Sequence, residues 1–233
     1  MHHRLHILNI YFTHKSWVMI TKYGLTTFLF CAGFSLVLFI GSLFIQNGWM
    51  KYPLIIFSIA FLLFSLNFFR DPERTTPVMK NVVVSPADGK IVIVKDSYEG
   101  EFLKANAKQI SIFMSPFNVH VNRIPIGGKV EYFNYVKGEY LVAFHEKADK
   151  RNERTEIGIT NSNGKIFFTQ VAGFIARRIV CDLKVGDSVK LGDRFGMIKF
   201  GSRSDVIVPA NWKLKVKLGD KVTAGETILF EIE

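Results

Sequence analysis

Hydrophobic positions along the chain follow two regimes. Between Lys22 and Lys51 no residue is charged, and Tyr23 to Ile45 is apolar on every side of a helix rather than along one stripe. That run is long enough to cross a bilayer, which takes about 20 predominantly apolar residues. A second uncharged run, Tyr52 to Phe69, follows the polar turn Gln46-Asn47-Gly48, and Trp49 and Tyr52 stand where interfacial aromatics collect. The pattern predicts a transmembrane helical hairpin over residues 23–69, after an N-terminal segment 1–22. A cleaved signal peptide is the competing interpretation, but its apolar core spans only about 7 to 15 residues. A buried globular helix pair would show a polar face, and neither run has one.

From Arg70 onward the period becomes two. GKIVIV (89–94), QISIFM (109–114), GKVEYFNYV (128–136), TEIGITN (155–161), GKIFFTQV (164–171), RRIVCDL (177–183), DVIVP (205–209) and KLKVKL (213–218) alternate apolar and polar residues between Gly, Asp and Asn. They predict a mainly β domain over residues 70–233, a barrel or sandwich. Within it V-G-D-S-V-K-L-G-D-R-F-G-M-I (185–198) echoes L-G-D-K-V-T-A-G-E-T-I-L-F (218–230). Biotinyl and lipoyl carrier domains use such hammerhead turns, an analogy of fold and not of function. A carrier needs a modifiable lysine at a hairpin tip; Met79-Lys80 lies instead in a linker beside Pro77.

Charge adds a partner to this picture. The net charge of +10 points to an anionic surface or ligand. Arg4, Lys15 and Lys22 precede the hairpin and Arg70, Arg74 and Lys80 follow it, against Lys51 alone in the turn. The positive-inside bias then puts both ends, and the β domain, on the cytoplasmic side of the cell membrane. An anionic membrane surface therefore accounts for the basic charge, at about 1 kcal/mol per Lys or Arg near the headgroups. No zinc-ligand spacing, Walker loop or basic helix with stacking aromatics occurs, so no metal or nucleic-acid partner is expected. Cys31 and Cys181 are too few for a disulfide framework. Met19 could begin a shorter chain that keeps the whole hairpin, and a homo-oligomer stays open.

Few side chains in the β domain suit proton transfer near neutral pH. His120 lies in F-M-S-P-F-N-V-H-V-N-R-I-P, and His145 lies in a charged stretch read as surface. Asp88 lies in V-S-P-A-D-G-K-I, which alone would be a turn before a strand. Near the C-terminus Gly201-Ser202 interrupts M-I-K-F-G-S-R-S-D-V.

The motifs F-F-R-D-P-E-R (68–74), S-P-A-D-G-K-I, S-P-F-N-V-H-V-N-R-I-P, N-E-R (152–154), A-G-F-I-A-R-R-I (172–179) and G-D-R-F-G-M-I-K-F-G-S-R-S-D-V occur in that order. Together they closely resemble the short, single-domain type of phosphatidylserine decarboxylase proenzyme, over roughly residues 68–208. The resemblance implies that Gly201-Ser202 is a self-cleavage site. The Ser202 hydroxyl attacks the preceding carbonyl, an ester forms, and elimination and hydrolysis leave a pyruvoyl group on a small chain, 202–233, that stays associated with the large chain, 1–201. It also implies that this covalent cofactor forms a Schiff base with the serine amine of a membrane phospholipid and accepts the electron pair released with carbon dioxide.

By the same resemblance Ser202, His120 and Asp88 are catalytic, with His120 returning a proton to the former α-carbon. Arg123, Arg177, Arg178 and Arg203 are candidates for holding phosphate or carboxylate bidentately. One departure stands out. Longer family members carry a second histidine three residues after the first, as the base for self-cleavage, and Arg123 occupies that position here. Either His120 serves both steps, or Asp88 activates Ser202 through another group. Two alternatives to phosphatidylserine decarboxylation remain: an archaetidylserine-type lipid with the same headgroup chemistry, and a non-enzymatic membrane-anchored β-barrel adaptor.

Overall fold

The structure is a computed structural model and describes residues 19–79, 81–138, 152–173, 178–199 and 202–232. Gly201, Arg177, His145, Lys80, Arg4 and Lys15 lie outside the described residues.

The chain enters through a short strand β1 (Met19–Ile20) and crosses into helices α1 (Leu25–Leu43) and α2 (Gly48–Phe68). Asn47 caps α2, its side-chain oxygen accepting from Trp49 N at 3.0 Å, so the predicted polar turn sets where the second helix starts. The helices run antiparallel. Phe34 meets Phe61 halfway along, and Phe28 meets Phe69 at the open end.

Their side-chain distribution is compatible with membrane association. The buried residues facing the partner helix include Ser35, Ser42, Ser58 and Ser65, whereas Leu29, Phe30, Val37 and Ile56 face outward. Small residues let the helices approach closely, and Ser42, Ser58 and Ser65 donate to carbonyls of their own helix (Phe39, Ile55 and Phe61). Only 11% of each apolar span is buried within the protein, unlike the mostly buried helix pair of a soluble core.

The chain leaves the hairpin through β2 (Arg70–Asp71), which pairs antiparallel with β1, and Thr21 N donates to Phe69 O at 2.9 Å. The expected segment boundary after residue 22 is therefore no flexible joint. Both ends of the hairpin are laced to each other at the β domain.

The domain continues with β3 (Val82–Val84), β4 (Gly89–Glu99), β5 (Ala105–Met114), β6 (Val121–Arg123), β7 (Gly128–Val136), β8 (Arg154–Asn161) and β9 (Gly164–Ala172). After it come β10 (Arg178–Cys181), β11 (Ser188–Val189), β12 (Arg194–Lys199), β13 (Ser202–Pro209), β14 (Lys213–Leu214), β15 (Lys221–Val222) and β16 (Ile228–Glu231). Eight of these form one half-barrel sheet in the order β11-β7-β8-β9-β13-β5-β4-β15. Two three-stranded sheets, β10-β12-β6 and β14-β16-β3, complete the domain.

The expected mainly β architecture is present, with one difference. Of KLKVKL only Lys213 and Leu214 join a ladder, because the chain reaches the Gly219-Asp220 turn within a few residues. The two repeats do form like turns. Asp187, Asp193 and Asp220 each accept from the backbone N–H three residues earlier, at 2.8, 3.1 and 2.9 Å, and the glycine before each has positive φ.

The main core lies inside the half-barrel, where Ile110, Ile112, Ile157, Phe168, Val206 and Phe230 meet. A second cluster fastens the hairpin on. Tyr23, Phe68 and Phe69 pack on Val119, Val121 and Met197 of the β10-β12-β6 sheet and its approach.

These turns make a testable distinction. At Gly192 (φ +80°) a Cβ would fall 2.0 Å from Thr76 Cγ2, whereas at Gly186 (φ +101°) it would meet nothing within 4 Å. Both Gly→Ala changes carry left-handed backbone strain of about 1–3 kcal/mol. Gly192→Ala is expected to lower the thermal midpoint in detergent clearly more than Gly186→Ala, and the reverse order would contradict the packing described.

Candidate active site

Ser202 is the first residue of β13, the strand hydrogen-bonded to β5 on one side and β9 on the other. Its register neighbours are Met114 and Ala172, so all three side chains face the barrel interior. Ser202 is fully buried, and its hydroxyl donates to Met114 Sδ at 3.2 Å. A thioether is a weak acceptor, so the hydroxyl is held in place without being deprotonated by this contact.

Met114 also links Ser202 to the histidine segment. Asn122 Nδ2 stands 3.9 Å from the same sulfur, two residues after His120, and Asn122 Oδ1 accepts from Gln170 Nε2 at 2.9 Å. Strand β6 and its approach are thereby fixed beside the start of β13.

His120 follows the Ser115–Asn118 turn, in which Asn118 Oδ1 accepts from both the backbone N–H and the hydroxyl of Ser115 at 2.8 Å. The His120 imidazole is fully buried. Its Nδ1 lies 3.0 Å from the Asn118 carbonyl, an acceptor, which assigns the ring proton to Nδ1. Nε2 is then a bare lone pair, buried with no partner among the described residues. Phe68 stacks on the ring at a centroid distance of 4.1 Å and an interplanar angle of 28°. Burial pushes the pKa down to about 4; the Asn118 carbonyl opposes this shift and the Arg70 charge adds to it. At neutral pH His120 is an uncharged base with an uncommitted nitrogen.

Asp88 is differently placed. Its Oδ1 accepts from Ala224 N and its Oδ2 from Arg74 Nη2, both at 2.8 Å. Burial raises its pKa, and the Ala224 N–H and the Arg74 and Arg70 charges hold it back. Among the described residues neither carboxylate oxygen bonds to His120 or Ser202. Ser202 and the strand that follows His120 share the Met114 sulfur through Asn122, whereas Asp88 is held by Arg74 and Ala224 N.

The candidate arginines separate in the same way. Arg123 is buried, with Nη1 donating to Gly192 O at 3.0 Å, Nη2 donating to Pro72 O at 2.9 Å, and Asp71 at 3.5 Å. It braces the segment after the hairpin through these bonds. Arg203 is fully buried and paired with Asp205: Nη2 donates to Oδ2 at 2.9 Å, and Nε lies 2.9 Å from Oδ1 without hydrogen-bond alignment. Because alternate strand residues face opposite sides, Arg203 points away from the face that carries Ser202. Arg178 is exposed on β10, directly opposite Lys199 of β12.

Sequence reasoning quoted F-F-R-D-P-E-R as a marker and overlooked its residues as parts of the site. Phe68 covers His120, and Phe69 seals the hairpin junction. Arg70 ties Asn67 to the Phe117 carbonyl in the histidine turn. Asp71 and Glu73 pair with Arg194, Asp71 also pairs with Arg123, and Arg74 holds Asp88. The signal that could have found them was position, since a charged cluster abuts a membrane span. Among the described residues no three His, Cys, Asp or Glu side chains are grouped to hold a metal ion.

Comparison with known proteins agrees with this arrangement. Residues 61–230 match the family model described as phosphatidylserine decarboxylase. The phosphatidylserine decarboxylase proenzyme of Chlorobium phaeobacteroides strain BS1 is 47% identical over 211 residues, covering 91% of this chain and 98% of that protein. The proenzyme of the same name from Chlorobium chlorochromatii is 49% identical over 215 residues, covering 91% and 99%. With the family model matched over residues 61–230 and relatives matched over nearly their whole length, this chain belongs to the phosphatidylserine decarboxylase family.

Proposed function

We propose that this protein is a membrane-anchored proenzyme that cleaves itself between Gly201 and Ser202 and then decarboxylates phosphatidylserine to phosphatidylethanolamine through a pyruvoyl group. Two observations together carry the reading: a fully buried Ser202 hydroxyl that among the described residues bonds only to a thioether, and a neutral His120 whose Nε2 has no partner among them. An adaptor has no use for that combination, and family membership sets the adaptor reading aside.

In the cleavage step the Ser202 Oγ attacks the Gly201 carbonyl carbon and its proton passes to His120 Nε2. The peptide bond becomes an ester; loss of the Ser202 α-proton expels the carboxylate of residues 1–201, and the dehydroalanine left behind hydrolyses to a pyruvoyl group and ammonia. His120 takes this role because Arg123 stands at the second histidine position and spends its donors on Gly192, Pro72 and Asp71. Asp88 acts as a positioning residue, holding Arg74 and the segment that carries Phe68. The small chain supplies β13 and stays in place through its two neighbouring strands, with no disulfide.

When formed, the pyruvoyl carbonyl supplies the electron acceptor for loss of carbon dioxide. The site fits it: its position at Ser202 is fully buried, which excludes water from the reacting carbons. His120 Nε2, unprotonated at neutral pH, takes a proton from the substrate's serine ammonium and returns it to the former α-carbon. The hairpin is suited to hold the site at a membrane surface, and its basic flanks favour the cytoplasmic side for the β domain.

Intact mass and denaturing electrophoresis test the cleavage. Wild-type protein is expected as two chains meeting at 201/202, the smaller one without a free amine, and Ser202→Ala as one full-length, inactive chain. Decarboxylation by an uncleaved chain would end the proposal.

The pH dependence follows from the histidine. A base with pKa about 4 stays neutral over the physiological range, so proenzyme processing in a cell-free pulse-chase should fall only as pH drops towards 4. Phe68→Leu thins the cover on the imidazole and should move this acid limb upward, towards the ordinary histidine value near 6.5. A limb that stays put in a folded Phe68→Leu protein would remove His120 as the base.

A further inference from the structure

Two polar clefts flank the hairpin junction, and their charges are arranged differently. The first, of ≈ 500 Å³, includes Glu73, Arg74, Arg123, Asp193 and Arg194 in its lining. Each of its arginines has an acid: Arg74 has Asp88, Arg123 has Asp71, and Arg194 has Asp71 and Glu73. That cleft is electrostatically complete.

The second, of ≈ 400 Å³, lies between the first turn of α1 and the β10–β12 pair, lined by Lys22, Thr26, Thr27, Arg178, Asp182 and Lys199 among others. Its one carboxylate, Asp182, is taken by Lys22 at 2.9 Å. Lys199 is only 9% exposed, and its one hydrogen bond among the described residues is to the neutral Thr27 hydroxyl at 2.8 Å. Arg178 stands directly across the ladder and has no acid partner among the described residues. Burial, and then the Arg178 charge, hold the Lys199 pKa below its ordinary value. A buried ammonium beside a second cation, with two of its three N–H donors uncommitted, is costly unless an anion completes it.

Resting on the function proposed above, we propose that Lys199, Arg178 and Thr27 form the subsite for the phosphodiester of the lipid substrate. Depth supports this choice of anion. Thr26 and Thr27 begin the membrane helix, and the outward Leu29 and Phe30 just beyond them, 59% and 80% exposed, are placed to run beside acyl chains. A phosphodiester at the first turn of α1 therefore sits at headgroup level while its tails follow the hairpin.

Reach supports it as well. Lys199 precedes Ser202 by three residues, which caps the separation of their Cα atoms at about 11 Å, a span of the order of a lysine side chain plus a serine headgroup. The phosphate also takes no part in the bond changes, whereas the carboxylate must leave. Cations are therefore better placed on the phosphate, where they bind ground state and transition state alike.

The test uses full-length protein in neutral detergent micelles with phosphatidylserine as the only lipid, after mass measurement confirms two chains. Lys199→Gln is expected to raise KM about tenfold or more, the loss of one charge-assisted hydrogen bond, with kcat changed far less because uniform binding is removed. Arg178→Gln should raise KM by a smaller factor, and Lys199→Arg should restore most of the affinity. Since Arg178 is an exposed strand position, its variant carries the test if Lys199→Gln impairs processing.

KM unchanged in both glutamine variants of a cleaved, active enzyme would overturn the subsite. So would a defect confined to stimulation by added phosphatidylglycerol or to inhibition by inorganic phosphate, which would mark a site for bystander lipid or free anion. Wild-type enzyme that releases no carbon dioxide from phosphatidylserine would instead sink the proposed function itself.

Discussion

The contact between Phe68 and His120 joins the apolar helical hairpin to the β domain. Phe68 is the last residue of α2, and its ring forms one wall around an imidazole that has no exposure to solvent. Desolvation of this kind disfavours the charged form, so the hairpin helps decide the protonation state of the histidine. The same few residues settle where the hairpin stands. Phe69, Tyr23 and Met197 pack together, and β1 pairs with β2 at the base. A tether could be exchanged for any other apolar segment. This hairpin could not, because its final turn is part of the site.

Electrostatics around that junction is built from compensated charges. Asp71, nearly buried, serves both Arg123 and Arg194, and Asp88 serves Arg74. Such pairs add little net stability, since desolvation offsets much of their attraction, but removing one partner strands a buried charge. They fix the F-F-R-D-P-E-R segment against the repeat turns, with Arg123 bonded to the Gly192 carbonyl and Asp88 to Ala224 N. On the far face of the sheet Arg203 and Asp205 are buried together, so the strand that begins with Ser202 is polar on both faces near its start. Against this background the uncompensated Lys199 is the exception, and its place at the end of the strand leading to Gly201-Ser202 gives that exception a use.

Much of the fold could be read from the one-dimensional pattern. Two long runs without charge and without a polar face admit few structures besides a helical hairpin, and period-two alternation after Arg70 admits little besides sheet. The G-D repeats specified their own turns, because a glycine that tolerates positive φ followed by an aspartate that captures a nearby N–H is a local device. KLKVKL was overread for the complementary reason. Alternation signals an accessible edge as readily as a ladder, and which one forms depends on whether a partner strand lies alongside.

For the site, the order of motifs was enough to single out Ser202, His120 and Asp88, because each motif sits in its own turn or strand start. Their relations were not legible. Whether an arginine binds a ligand or braces a loop depends on which carbonyls and carboxylates surround it, and those come from segments far away in sequence: Pro72 and Gly192 for Arg123, Asp205 on the hidden face for Arg203. Nor does any local pattern show that Phe68 would cover a histidine 52 positions later or that Thr27 would meet Lys199. By itself the sequence determined the two long apolar helices, the β domain and the order of the family's motifs, since periodicity and turn chemistry are local. Only the tertiary structure decided which of the motif residues are neutral, paired or left without a counter-ion, because burial and charge pairing depend on neighbours that folding brings together.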